Sequence, residues 1–169
     1  CGALARFSPL MEQVIEFANK GGKVLGVCNG FQILCESGLL PGALLLNDHQ
    51  KFVCKNVYIK SESDQTFVGK NVMNKILQIP VAHGEGRYFA DAETLHRLEK
   101  NNQVVFRYCD SEGNIHTAAN PNGATSNIAG ICNEGRNVFG MMPHPERACS
   151  SELSNIDGRA ILQAFAAMN

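Results

Sequence analysis

"KVLGVCNGFQIL", residues 23–34, ends an apolar, β-rich run on a cysteine and opens a helical pattern directly after it. Gly26, Cys28 and Gly30 stand at alternate positions. A strand that enters a helix through one residue must turn sharply there, and glycines on either side let neighbouring backbone approach without a Cβ clash. In the comparable G-x-S-x-G elbow the nucleophile is exposed and the next backbone N–H, here that of Asn29, faces the oxyanion. A helix N-terminus also favours a thiolate. Taken alone, the five residues describe a buried cysteine at a tight turn equally well.

Outward from this stretch the pattern is that of an α/β domain. Ser8-Pro9 reads as an N-cap followed by proline at the first helical position, with Glu12 in the first turn. Leu10, Val14, Phe17 and Ala18 then repeat at helical spacing until Gly21-Gly22 stops the run. Residues 23–27 predict a strand and residues 30–37 a helix closed by Gly38, a succession typical of a parallel sheet. "KFVCKNVYIK", "ILQIPVA", "VVFRY", "NIAGICN" and "NVFGMM" are further strand candidates, separated by Asn- and Gly-rich turns such as "NEGRN" and "NPNGA". "DAETLHRLEKN" predicts a short helix capped by Asp91. In the final "DGRAILQAFAAM", Ile161, Leu162, Phe165 and Met168 share one apolar face. No linker or repeat divides the 169 residues, which suit one domain.

Composition narrows the function classes. The formal net charge is -1 and the 15 basic residues are scattered, a poor footprint for nucleic acid or an anionic membrane. No apolar stretch reaches transmembrane length, and no signal-like segment opens the chain. The 7 cysteines are odd in number and irregularly spaced, with no C-x-x-C pair, which argues against a disulfide framework or a zinc site and suits a reducing cytoplasm. Cys35, Cys54, Cys109, Cys132 and Cys149 are expected to be structural, and His49, His96 and His116 to lie at the surface.

A second motif gives Cys28 a partner. In "GMMPHPER", residues 140–147, Pro143 and Pro145 flank His144, and proline pushes the preceding residue toward extended backbone. In extended chain, residues i and i+2 point the same way, so His144 and Glu146 are expected side by side. A carboxylate that orients an imidazole supplies the base and orienter of a Cys-His-Glu triad. By itself, Pro-His-Pro is also an ordinary polar loop.

The G-x-C-x-G elbow followed much later by H-x-E resembles the triad-type glutamine amidotransferases. "GVCNGFQIL", "GLLPGAL", "PVAHGEGRY", "NPNG", "IAGICNE" and "GMMPHPER" resemble, in this order, the glutaminase subunits of phosphoribosylformylglycinamidine synthases, small amidotransferases of de novo purine synthesis. The resemblance spans the chain, residues 1–169, as one type 1 glutamine amidotransferase domain. It implies a flavodoxin-like, Rossmann-like three-layer α/β sandwich. Because "CGALARFSP" stands at the very start, it also implies that a leading strand and helix are missing, with a glycine that is the family's second oxyanion donor.

On this resemblance Cys28, His144 and Glu146 are catalytic, Asn29 is the oxyanion donor, and Gly30 and Gln32 serve glutamine binding. In "HGEGR" the resemblance implies a substrate-side loop carrying His83, Gly84 and Glu85, for which a strained hairpin turn is an equal reading. "NPNG" is first a turn, near the active-site face, where it could also meet the synthetase. Glutamine is the implied substrate. The implied partners are a large synthetase subunit, which uses ATP and Mg to make formylglycinamidine ribonucleotide, and a small bridging subunit. No metal or cofactor is implied for the glutaminase itself. A stand-alone cysteine hydrolase or peptidase on the same scaffold, or an inactive fragment that only binds, are the alternatives.

Overall fold

A computed structural model describes residues 8–166; the opening "CGALARF" and Met168 lie outside the described residues. The described chain begins with helix α1 (Pro9–Asn19), whose Ser8 side chain accepts the Met11 N–H at 3.3 Å. Strand β1 (Val24–Val27) leads through Cys28 into α2 (Asn29–Glu36). Then come β2 (Ala43–Leu45), β3 (Val53–Ser61), α3 (Phe67–Val72), β4 (Ile76–His83) and β5 (Arg87–Phe89). Helix α4 (Ala92–Lys100), β6 (Val104–Cys109), β7 (Ile128–Cys132), β8 (Val138–Met141) and α5 (Arg159–Ala166) complete the order, with short 3₁₀ turns between them. Among the described residues no helix is long and apolar enough to cross a membrane.

The main sheet runs β1-β8-β7-β6-β3-β4, and β2 pairs with β5 in a small second sheet. The α/β class is as expected, but the parallel character is confined to one pair, β1 with β8, among the described residues. The other pairings are antiparallel. The link "NEGRN" between β7 and β8 is too short for a helical crossover, so those two strands run opposite ways.

Strand β4, last in the sheet order, comes back against the exit of β8. Along β4 the residues 78, 80 and 82 turn their backbone groups away from β3. Gln78 N–H donates to Asp157 Oδ2 at 2.8 Å, and its carbonyl accepts from Asn155 Nδ2 at 2.7 Å. Pro80 has no N–H to leave unpaired, and its carbonyl accepts the His144 N–H at 2.8 Å. The sheet is therefore curled, and its two ends meet at the residues the motifs singled out.

Packing departs from the pattern at both ends. In α1, Met11 and Ala18 are buried while Leu10 and Phe17 are exposed, so the buried stripe is shifted from the expected one. In α5, Ile161 and Ala164 are fully covered, with Leu162 and Phe165 only partly so. Helix α3, capped by Thr66 Oγ1 on the Gly69 N–H, and the β2–β5 pair carry too few residues to show a periodicity in sequence.

Helix α2 packs its Phe31 and Leu34 onto the β1–β8 pair, where Gly26 and Gly140 lie opposite each other. A Cβ on Gly140 would stand 2.2 Å from Phe31 Cδ2 and 2.7 Å from Leu40 Cδ1. Overpacking of this kind costs about 1–3 kcal/mol. Gly140→Ala should therefore lower the stability read from urea unfolding by that amount, at unchanged m. A change below about 0.5 kcal/mol, the usual surface range, would mean that the helix seat is not tightly packed.

Candidate active site

Cys28 occupies a backbone conformation that few non-glycine residues adopt, φ 54° and ψ −108°. Its N–H extends the β1–β8 pairing by donating to Met141 O at 2.9 Å, and its carbonyl accepts the Gln32 N–H at 3.2 Å to start α2. The residue is thus pinned as the last of the strand and the cap of the helix. Of the two glycines, Gly26 is required by space: a Cβ there would lie 2.7 Å from the Gly30 carbonyl. A Cβ on Gly30 would meet nothing, so Gly30 is the neighbour that approaches rather than the one that yields.

A cleft of about 520 Å³ opens over the elbow. Cys28, Asn29, Gln32, His83, Gly84, Glu85 and His144 line it, together with Arg147 and Phe52. Gly30 is not on its wall. Cys28 Sγ lies 3.9 Å from the carbonyl of Ala82, on the returning strand β4.

His144 and Glu146 pair as expected, though by a different backbone route. Pro145–Arg147 form a 3₁₀ turn rather than extended chain, with Arg147 N–H donating to His144 O at 3.1 Å. Pro145 at the first position of that turn brings Glu146 back beside the ring. His144 Nδ1 and Glu146 Oε1 are 2.5 Å apart. The carboxylate accepts from Nδ1, which leaves Nε2 as the lone-pair nitrogen of the neutral ring. Nε2 is buried and has no partner among the described residues, the state expected of a base that awaits a proton.

Burial pushes the Cys28 thiol above its ordinary value of 9.0. The Asn29 N–H and the Arg147 guanidinium oppose that rise, and Glu146 adds to it. The helix terminus does act in the expected direction, through Asn29, but burial outweighs it, so the resting sulfur is protonated at neutral pH.

The loop after β4 borders the cleft through His83, Gly84 and Glu85, and it is not a strained turn. His83 is largely buried where it contributes to the cleft wall. Its Nδ1 lies 3.1 Å from Asn47 Oδ1, whose own amide nitrogen donates to Lys51 O and His83 O, so Nδ1 carries the hydrogen. Its Nε2 lies 3.4 Å from Asn122 Nδ2. Burial holds the ring neutral, its pKa pushed down to about 4. Neither loop glycine has positive φ. Gly86 is needed because a Cβ would lie 2.4 Å from the His83 ring, whereas one on Gly84 would meet only Phe52 Cδ2 at 3.8 Å.

"NPNG" buttresses this loop from behind, since fully buried Asn122 donates to Gly86 O at 2.8 Å. Asn47 escapes a reading of the sequence because a lone asparagine carries no periodic signal; Asn122 and Arg147 stand within motifs that gave neither a role of its own. Cys54 is exposed on β3 and Cys149 half-buried, contrary to expectation, while Cys35, Cys109 and Cys132 are buried.

A cysteine on a strained strand-to-helix elbow, sharing a cleft with a His–carboxylate pair, is the layout of a thiol-dependent acyl-transfer site. Residues 2–164 match the model of the CobB/CobQ-like glutamine amidotransferase domain. The chain is 56% identical over 165 residues to phosphoribosylformylglycinamidine synthase subunit PurQ of Koribacter versatilis, covering 97% of this chain and 71% of that protein. It is 53% identical to the PurQ subunit of Synechocystis, covering 95% and 72%. The structure of PurLQS from Thermotoga maritima superposes with a TM-score of 0.82 at 37% identity, over 98% of this chain and 71% of that one. A glutamine amidotransferase from Thermotoga maritima shares the fold alone, with TM-score 0.52 at 16% identity over 92% of this chain and 60% of that one. The chain belongs to the PurQ family of glutamine amidotransferase subunits of phosphoribosylformylglycinamidine synthase.

The raised thiol makes a prediction for the free protein. A thiol with an elevated pKa yields its thiolate only above the ordinary value, so iodoacetamide labelling of Cys28 should keep climbing with pH beyond 9.0 in the folded chain. In denaturant the climb should level off earlier. A rate at Cys28 that is already flat at neutral pH would show a resting thiolate and contradict the dominance of burial.

Proposed function

We propose that this chain hydrolyses glutamine to glutamate and ammonia with Cys28 as nucleophile, His144 as base and acid, and Glu146 as orienter. One observation carries the reading: the unpartnered, buried Nε2 of an imidazole already fixed by Glu146 lines the same cleft as the strained cysteine. Nε2 accepts the thiol proton as Sγ attacks the carboxamide carbon of glutamine. The oxyanion forms toward the Asn29 N–H, which is turned to the sulfur. His144 then gives its proton to the departing ammonia and leaves a γ-glutamyl thioester. Water, deprotonated by the same Nε2, attacks the thioester carbonyl and releases glutamate and the thiol.

The names of the relatives support the further step. Ammonia passes to a synthetase subunit, which converts formylglycinamide ribonucleotide to formylglycinamidine ribonucleotide in purine synthesis. That partner uses ATP and Mg, and a small bridging subunit completes the assembly. Cys28, His144 and Glu146 supply nucleophile, proton carrier and orienter between them, so the glutaminase step is written with protein groups alone. A cytoplasmic location follows from the pathway.

In the assembled enzyme, Cys28→Ala should abolish glutamine-dependent synthesis and leave synthesis from added ammonia intact. His144→Ala should lose about 10²- to 10⁴-fold in the glutamine reaction, the range for a general acid–base group. Such losses do not add, because the members act as one unit. An equal fall in the ammonia-dependent rate would contradict the division of labour.

A further inference from the structure

The cleft wall is electrically polarised in a way the triad does not use. At one side, Gln32 Nε2 donates to Glu36 Oε1 at 3.0 Å and to Glu85 Oε2 at 3.5 Å. Both amide hydrogens of Gln32 are thereby committed to carboxylates, and its Oε1 remains as an acceptor. The second oxygen of Glu36 is buried without a partner among the described residues, so negative charge accumulates behind Gln32. Glu85 itself is exposed on the cleft wall.

Arg147 is the sole Lys or Arg among the described lining residues. Its only described ion pair is a long one, Nε to Glu146 Oε1 at 3.6 Å, with the side chain about half exposed. Among the described residues its side chain makes no hydrogen bond within normal range, which leaves a five-donor fork uncommitted beside the nucleophile. The charge is near enough to Cys28 to favour its thiolate. An acceptor-rich side and a free guanidinium on one cleft match the two ends of an α-amino acid zwitterion, whose side-chain amide then reaches Cys28.

Resting on the glutaminase reading above, we propose that Arg147 is the specificity-determining residue that receives the substrate α-carboxylate, while Glu85 and Gln32 Oε1 receive the α-ammonium. Arg147 suits a carboxylate because its planar fork can donate two parallel N–H bonds. A carboxamide whose carbon chain lacks either charged group finds one side of the cleft unsatisfied, and is discriminated against for that reason.

The test is a cycle between protein and substrate, read as glutaminase KM and kcat in the assembled enzyme. Three substrates are used: glutamine, glutaramate, which lacks the α-ammonium, and 4-aminobutanamide, which lacks the α-carboxylate. Arg147→Gln should raise KM about 10- to 100-fold for glutamine and for glutaramate, the range for a lost hydrogen bond to a charged group. With 4-aminobutanamide that loss should vanish. Arg147→Lys should recover only part of the glutamine affinity. Glu85→Gln should show the opposite selectivity, losing on glutamine and 4-aminobutanamide and not on glutaramate.

Equal losses on all three substrates, carried in kcat, would overturn the proposal and make Arg147 a support for Glu146. Unchanged KM for glutamine in Arg147→Gln would overturn it as well. Failure of the glutaminase reading is distinct, since it would show as an unsubstituted enzyme that releases no glutamate from glutamine at all.

Discussion

The site depends on one constraint, the curl that carries β4 from the far end of the sheet back to the exit of β8. Cys28 belongs to the β1 end of the sheet, and Pro80 and Ala82 to the other. Cys28 N–H ties the elbow to Met141 at the end of β8, and the hydrogen bond from His144 N–H to Pro80 O fixes the segment beyond it that carries the base. The same outward-facing row of β4 takes Asn155 and Asp157, so the approach to α5 is tied to this edge too. A sheet edge that elsewhere would invite another strand is here consumed by the loops that hold the chemistry.

The strain at Cys28 has a matching cause. A residue at φ 54° costs of order 1–3 kcal/mol and persists only where its surroundings over-determine it. Here the N–H is fixed by β8, the carbonyl by the first turn of α2, and the elbow is pressed against Gly26 by Gly30. Phe31, wholly buried in the first turn of the helix, keeps that turn seated. Packing of apolar residues thus maintains a conformation whose benefit is chemical: a sulfur at the cleft, beside a backbone N–H turned to it and an unpaired imidazole nitrogen.

How much of this was legible in sequence follows from the range of each signal. The elbow was readable because strand, cysteine and helix are contiguous and glycine spacing is local. The His144–Glu146 pairing was readable as an i, i+2 relation, although proline delivered it through a 3₁₀ turn and not an extended one. The antiparallel majority of the sheet was not readable from "KVLGVCNGFQIL", which samples the one pair that is parallel among the described residues. His83 illustrates the remaining limit. Its motif placed it beside the cleft, but the contacts that hold its ring, with Asn47 and Asn122, come from 36 and 39 residues away along the chain. No local pattern specifies such contacts. The apolar stripe of α1 was misplaced for a similar reason, since helical spacing defines a face and only packing says which side of it is covered.

Covalent chemistry at Cys28 is the central claim. The direct measurement is acid-quenched mass spectrometry of the enzyme mixed with glutamine on the millisecond-to-second scale, followed by peptide mapping. The predicted result is a γ-glutamyl adduct on the peptide carrying Cys28, formed and lost at rates compatible with turnover. Glutamate release with no adduct, or with the adduct on Cys54 or Cys149, would contradict it.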